Sequence, residues 1–389
     1  MLDSTIGDTL KDQLDQFLGK HPEAPSAALL VETPSFSWKG ASGFSDPEAG
    51  IPMDPDDLIY IASVAKTMTA TITLRLAEEG ALCLDDTLLA HLPADLLKGL
   101  HHFEGRSYSE KITVRHLLGH TSGLADSFGS PGFMELIAQN PDRLWKPEDT
   151  IEFIKEHCAP RFVPGTGFSY SDVNYNLVGL VIESVTGASL DAAYRRFIYE
   201  PLGLQSTHRR FVEAPRSGGS SRTAHVFHGD VDFTTWRALT ADWAGGGLDS
   251  TLEDLNRFLR ALSHGEVLRQ PSTREAMFQW RTWSGNASYG LGAISFDLDQ
   301  DPDASRHSMG QIWGHIGASS CFMFFWPMAD ASFCGTFNQV ACESAIVPFV
   351  VNLMRLIRSH EPAAMSEPPG RDGRPSARPS RDEAANGSL

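Results

Sequence analysis

Ile61-Ala62-Ser63-Val64-Ala65-Lys66-Thr67-Met68-Thr69-Ala70 is the stretch around which the rest of the chain can be ordered. It follows an apolar, strand-like Leu58-Ile59-Tyr60-Ile61 and opens a helix-like run through Met68, Ile72, Leu74 and Leu76. Ser63 and Lys66 lie three residues apart, so on a helix they share a face about one turn apart. Helix geometry also leaves the first backbone N–H groups unpaired, directed at whatever sits near Ser63. A nucleophile, an amine and an anion-stabilising helix start therefore converge within four residues. The Ser-x-x-Lys spacing alone arises often by chance and by itself favours an ordinary surface helix. Its weight depends on the segments around it.

The 389 residues are 41% hydrophobic and 21% charged, a balance that accommodates one large domain or two lobes. A formal net charge of −17 argues against nucleic acid or an anionic membrane as a partner. It is compatible with cationic substrates, although acidic surfaces commonly serve solubility alone. No N-terminal segment joins a basic region to an apolar one, so the expected location is cytoplasmic. The longest apolar run, around residues 346–357, is interrupted by Pro348, Asn352 and Arg355. Cys83, Cys158, Cys321, Cys334 and Cys342 are scattered and odd in number, which fits reduced thiols better than a disulfide frame or a zinc site.

Residues 8–18 carry a helical apolar stripe, and residues 26–31 and 35–43 read as a strand pair. A Gly- and Pro-containing loop over 126–133 is a plausible rim. Helices are expected over 175–185 and 252–263, the latter capped by Ser250 or Thr251. Residues 217–243 read as loops near a pocket. Strand-like pieces recur at 289–296, 312–315, 321–326 and 331–338, and a closing helix follows at 345–359. The order of strands, helices, then strands predicts an α+β fold in which early and late strands share one antiparallel sheet. The expected division is an α/β lobe from residues 1–88 and 245–360, a helical lobe over 89–244 and a disordered tail over 361–389.

Ser63-Val64-Ala65-Lys66, Tyr170-Ser171-Asp172 and His315-Ile316-Gly317, in this order, resemble the three motifs of the penicillin-recognising serine hydrolases. That superfamily includes class C β-lactamases, D-aminopeptidases, D-amino-acid amidases and family VIII carboxylesterases. Further segments agree, among them His116–Leu124, Pro164-Gly165, Glu200–Leu204 and Gly246–Thr251. The resemblance implies a β-lactamase/transpeptidase-like fold and a Ser63 acyl-enzyme. It gives Lys66 a part in deprotonating Ser63, and makes Tyr170 a proton shuttle to the leaving group. The backbone N–H groups of Ser63 and Ala318 become the oxyanion hole. Asp172, His315 and Gly317 become substrate-binding candidates. By residue type alone, Phe233, Trp236, Trp243 and Trp313 are further candidates, to line an apolar pocket. No cofactor is implied, and the oligomeric state stays open.

Two departures matter. The middle motif usually ends in Asn, which both donates and accepts, whereas ionised Asp172 only accepts and would favour the Lys66 ammonium. The third motif often begins with Lys, which holds a substrate carboxylate. His315 is mostly neutral at pH 7 when unperturbed. Both move the expectation from penicillins toward small esters or amides, with carboxylesterase activity first. D-amino-acid amidase or aminopeptidase activity comes second, and weak β-lactamase activity is a side reaction. A non-catalytic binding relative is disfavoured by the intact Ser63 and Lys66. His116 and His120 lack the zincin Glu, and the Asp297–Asp303 loop lacks EF-hand positions, so no metal is expected. Gly119-His120-Thr121-Ser122-Gly123 has Thr where a nucleophile elbow needs Ser.

Overall fold

A computed structural model describes residues 2–216, 220, 222–300 and 308–360. The expected tail over 361–389, and the parts of the acidic and Gly-rich loops at 301–307, 217–219 and 221, lie outside the described residues. Nine antiparallel strands form one sheet. They are β1 (Ser26–Glu32), β2 (Ser37–Asp46), β3 (Ile51–Pro52), β4 (Arg281–Ser284), β5 (Ala287–Tyr289), β6 (Ile294–Asp297), β7 (Gln311–Ile316), β8 (Phe322–Trp326) and β9 (Ala331–Thr336), in the spatial order β4-β5-β6-β7-β8-β9-β1-β2-β3. Late and early strands meet where β9 pairs with β1, with Leu30 opposite Cys334. This is the α+β arrangement that the element order predicts.

Alternation along β1 explains how the sheet buries both faces. Ala27, Leu29 and Val31 pack with the helices α1 (Leu2–Lys20) and α6 (Ile346–His360), which cover one face. Ala28 and Leu30 point the other way, into a core shared with α2 (Ala65–Glu78), α4 (Asp172–Thr186) and α5 (Leu252–Ser263). Helix α5 begins where expected, and the Thr251 side chain accepts from the Asp254 N–H as its cap. Helix α6 with its preceding turn, residues 340–360, is apolar and long enough by composition to cross a membrane. Its Ile346, Val350, Leu353 and Ile357 are instead buried against the sheet.

Three readings change. Residues 289–296 do not form one strand; they split into β5 and β6 around a turn containing Gly292, whose φ of 83° lies in the left-handed region. Strand β4, exposed along its length, carries no apolar alternation and escapes pattern reading. The rim at 126–133 runs into helix α3 (Pro131–Gln139), with Pro131 in its first turn and Phe133 and Ile137 buried.

Candidate active site

Ser63 sits in a 3-10 turn over Ala62–Val64, just before α2, rather than inside the helix. Ala62 has a φ of 45° without being glycine, a conformation that costs about 1–2 kcal/mol. That kink presents Ser63 half-exposed while its neighbours Ala62, Val64, Ala65 and Lys66 are buried. Helix α2 is enclosed on all sides, so Lys66 is carried into the interior with its amine aimed back at the serine. Lys66 Nζ donates to Ser63 Oγ at 3.0 Å and to the Gly245 carbonyl at 2.9 Å. A Cβ on Gly245 would lie 3.0 Å from that amine, and one on Gly246 would strike the Asp242 carboxylate and lie 3.1 Å from the Ala62 carbonyl carbon. The glycine run thus permits a close backbone approach against Lys66.

Tyr170 and Asp172 arrive from the start of α4. The Tyr170 hydroxyl is hydrogen-bonded to Ser63, and its ring lies 5.2 Å from Lys66 Nζ. Asp172 is the first residue of α4 and contacts Lys66 directly. Its own N–H is capped from outside the helix by Asp126 Oδ1 at 3.0 Å. A carboxylate at this position is also favoured by the helix dipole. Asp242, which the sequence reading did not single out, places Oδ1 3.8 Å from Lys66. Two carboxylates thus stand in ion-pair range of one ammonium, with a third, Asp126, behind Asp172.

Their charges follow from burial and proximity. Burial alone would depress the Lys66 pKa, but Asp172 and then Asp242 more than offset it and hold it well above its ordinary value. Burial, together with the Asp172 charge, pushes Asp242 well up, and pushes Asp126 up to about 7. Burial raises Tyr170 as well, with Lys66 acting in the opposite sense.

Beneath Tyr170 lies a relay whose proton positions are fixed by its donors. His120 stacks on the Tyr170 ring at 4.2 Å. Its Nδ1 accepts from the Ser171 N–H and from Asn174 Nδ2, at 3.2 and 3.1 Å. Nε2–H must therefore donate to the Tyr289 hydroxyl, at 3.2 Å. At the far end His315 Nδ1–H donates to the Ile316 carbonyl at 2.8 Å, so its Nε2 accepts from Tyr289 at 3.2 Å. Burial and the Lys66 charge lower His315 to about 3. His315 is thus a neutral member of a buried network. His120 has φ 52° and is fully buried, but nothing in its sequence pattern separates it from a scaffold histidine.

Gly317 closes the site at the end of β7. A Cβ there would lie 2.3 Å from the Ile61 carbonyl, so only glycine lets this strand end approach the serine turn. A tight turn follows, with the Gly317 N–H on the Cys321 carbonyl at 2.7 Å and the Ser320 N–H on the Gly317 carbonyl at 2.9 Å. It leaves Ala318 exposed beside Ser63.

Two cavities meet at Ser63, Asp172 and Ala318. One, of about 610 Å³, has walls of Tyr60, Phe128, Phe233, Trp236 and Leu239, with Asp242 on its lining. The other, of about 890 Å³, runs past Tyr170, His315, Trp283, Phe296 and Glu343. Phe233 and Trp236 line the pocket as the sequence suggested. Trp313 and Trp243 do not line either cavity. Trp313 packs between Phe278 and Phe325 at 4.6 and 5.7 Å. Trp243 lies against Gly179 of α4, where a Cβ would sit 2.5 Å from its ring. Both are core residues: Trp243 turns away from the cavity that its neighbour Asp242 lines, and Trp313, on the same face of β7 as His315, is covered by Phe278 and Phe325.

Known proteins agree with this architecture. The chain is 32% identical over 343 residues to Esterase EstB of Burkholderia gladioli, a match that covers 79% of this chain and 85% of that protein. A crystal structure of a D-stereospecific amidohydrolase from Streptomyces sp. superposes with a TM-score of 0.68 at 28% identity, covering 81% of this chain and 90% of that one. D-amino acid amidase from Ochrobactrum anthropi SV3 shares the fold, with a TM-score of 0.74 at 22% identity over 90% and 98% of the two chains. The family model described as Beta-lactamase matches residues 14–345. That span runs from within α1 to the turn before α6 and takes in every residue of the site, so the chain belongs to the Beta-lactamase family.

Proposed function

We propose that this chain hydrolyses a small ester through an acyl-enzyme on Ser63, as a carboxylesterase-like member of its family. The observation that carries the reading is the placement of Ser63 Oγ between Lys66 Nζ and the Tyr170 hydroxyl, at the junction of two cavities. Ser63 Oγ attacks the ester carbonyl carbon. Its proton passes to the Tyr170 hydroxyl, which hands its own proton to the leaving alcohol oxygen. This relay needs no phenolate in advance, which suits a tyrosine whose pKa burial raises. The Lys66 ammonium, held by Asp172, stabilises negative charge developing on the relay. The N–H groups of Ser63 and Ala318 receive the carbonyl oxygen, and such donors contribute about 3–4 kcal/mol each to lowering a barrier. Water then repeats the sequence on the acyl-enzyme. No cofactor takes part in this scheme.

A second reading, hydrolysis of D-amino acid amides, is favoured by the carboxylate at Asp172 and by the similarity to the D-stereospecific amidohydrolase. No Lys or Arg lines either cavity among the described residues, which disfavours β-lactams bearing a carboxylate. The test is turnover of p-nitrophenyl acetate and butyrate, nitrocefin, and D- and L-amino acid p-nitroanilides, with Ser63→Ala alongside. Ester turnover lost in Ser63→Ala is expected. Selective D-anilide turnover moves the chain to the amidase reading. Absence of covalent fluorophosphonate labelling at Ser63 overturns both.

A further inference from the structure

We infer that the 610 Å³ pocket takes an acyl group carrying a positive charge, and that Asp242 is the counter-charge that selects it. This deepens the acyl-enzyme reading and rests on it for the position of the scissile bond, not for the binding itself.

The argument begins with a charge count. Among the described residues, Lys66 is the cation in ion-pair range of both Asp172 and Asp242, and Asp172 is in direct contact with it. Asp242 is a second carboxylate, 91% covered, whose Oδ1 lies 3.8 Å from the same Lys66 amine, a looser ion pair than the Asp172 contact. A buried carboxyl that shares its one ammonium with a closer carboxylate must hold a proton or meet a second cation. Asp242 lines the pocket, so a cation on a bound ligand can reach it. Among the described residues the lining includes no Lys or Arg, and it adds Glu135 at the rim. Phe233 and Trp236 supply ring faces to an ammonium and apolar surface to its chain, beside Tyr60, whose ring already meets Arg210 at 5.1 Å. Lys66 Nζ is 3.0 Å from Ser63 Oγ and 3.8 Å from Asp242 Oδ1, so the favoured charge lies a few atoms from the carbonyl carbon.

Proton linkage follows. The titratable groups facing Asp242 are Lys66, Asp172, Asp126, Tyr60, Tyr170 and Tyr194, and His228 shares the pocket wall. Burial holds Asp242 protonated beyond the usual carboxylate range. A cation that pairs with Asp242 must displace that proton, so cation affinity rises with pH while affinity for a neutral analogue stays flat.

The test compares 3-phenylpropylamine, 3-phenylpropanol and 3-phenylpropanoate by calorimetry on the wild-type protein at pH 5.5 and 8, in buffers of different ionisation enthalpy. Expected at pH 8 is binding of the amine at least about tenfold tighter than the alcohol, with the acid weakest, and release of a proton with the amine alone. Asp242→Asn, checked for folding by its melting curve, removes the preference and the proton release but keeps alcohol binding. Trp236→Ala weakens amine and alcohol alike. Equal or weaker binding of the amine, or an unchanged preference in Asp242→Asn, overturns the inference. Fluorophosphonate labelling of Ser63 is measured separately, so failure of the acyl-enzyme reading and failure of the cation site are told apart.

Discussion

Asp172 decides which protonation state of Lys66 the enzyme uses. The family pattern has Asn here, and the carboxylate stands in contact with the amine. Removing it in Asp172→Asn takes away the largest influence raising the Lys66 pKa, so that pKa falls. If the ammonium stabilises the relay, activity is lost once Lys66 deprotonates, and the alkaline limb of kcat/KM for p-nitrophenyl butyrate moves to lower pH. The acid limb stays where it was. A shift of the acid limb instead identifies neutral Lys66 as the base, and unmoved limbs remove Lys66 titration from the mechanism. The same residue shows what a sequence can convey at this scale. Ser63, Lys66, Tyr170 and Asp172 were legible because short motifs fix them relative to one another. Asp242 was not, because it reaches the site across 176 residues from Lys66 in sequence, in a segment without periodicity. Trp313 and Trp243 were misplaced for a related reason: residue type indicates an apolar environment but not whether other side chains fill it or a cavity opens there.

At the scale of elements, the site is the meeting of one strand end and two helix starts. Strand β7 approaches the turn before α2 so closely that Gly317 has no room for a side chain, its Cβ position being 2.3 Å from the Ile61 carbonyl. The opposing group is backbone, so the strand end must move. Gly317→Ala is therefore expected to lower kcat at least about tenfold while lowering the melting temperature by only a few degrees, because the displaced turn carries Ala318. Leu259→Ala is the contrast. Leu259 is fully buried on α5, away from the cavities, and its truncation should cost about 2–5 kcal/mol of stability with kcat unchanged. Equal kcat losses in both variants would show that global loosening, not the turn, limits activity. Elements with strong periodicity, such as α5, were readable to the residue. Helix α3 and strand β4 were not: one starts inside a Gly- and Pro-containing loop and the other is solvated along its length.

For the molecule as a whole, the buried titratable groups set opposing pH dependences on stability. His315 is neutral in the fold, lowered from about 6.5 to about 3. A histidine whose folded pKa is depressed stabilises the fold fully above its unfolded value, and that contribution is lost as pH falls from about 6.5 toward about 3. His120, also lowered by burial and by Lys66, acts in the same direction. Asp126 has the opposite sign. Its pKa is raised to about 7, so its contribution is present below about 3.8 and is lost as pH rises through about 7. The histidines should govern the acid side, since the His120–Tyr289–His315 relay has no acceptor for an added proton: His120 Nδ1 already faces two donors, and His315 Nε2 already accepts from Tyr289. His315→Asn keeps a polar group near Tyr289 but cannot take up a charge. Its melting temperature should therefore drop less between pH 7 and pH 4.5 than that of wild type, even where its absolute stability at pH 7 is lower. Parallel curves would mean that protonation of this relay does not drive acid unfolding, and His120→Asn would then show whether the other end of the relay does.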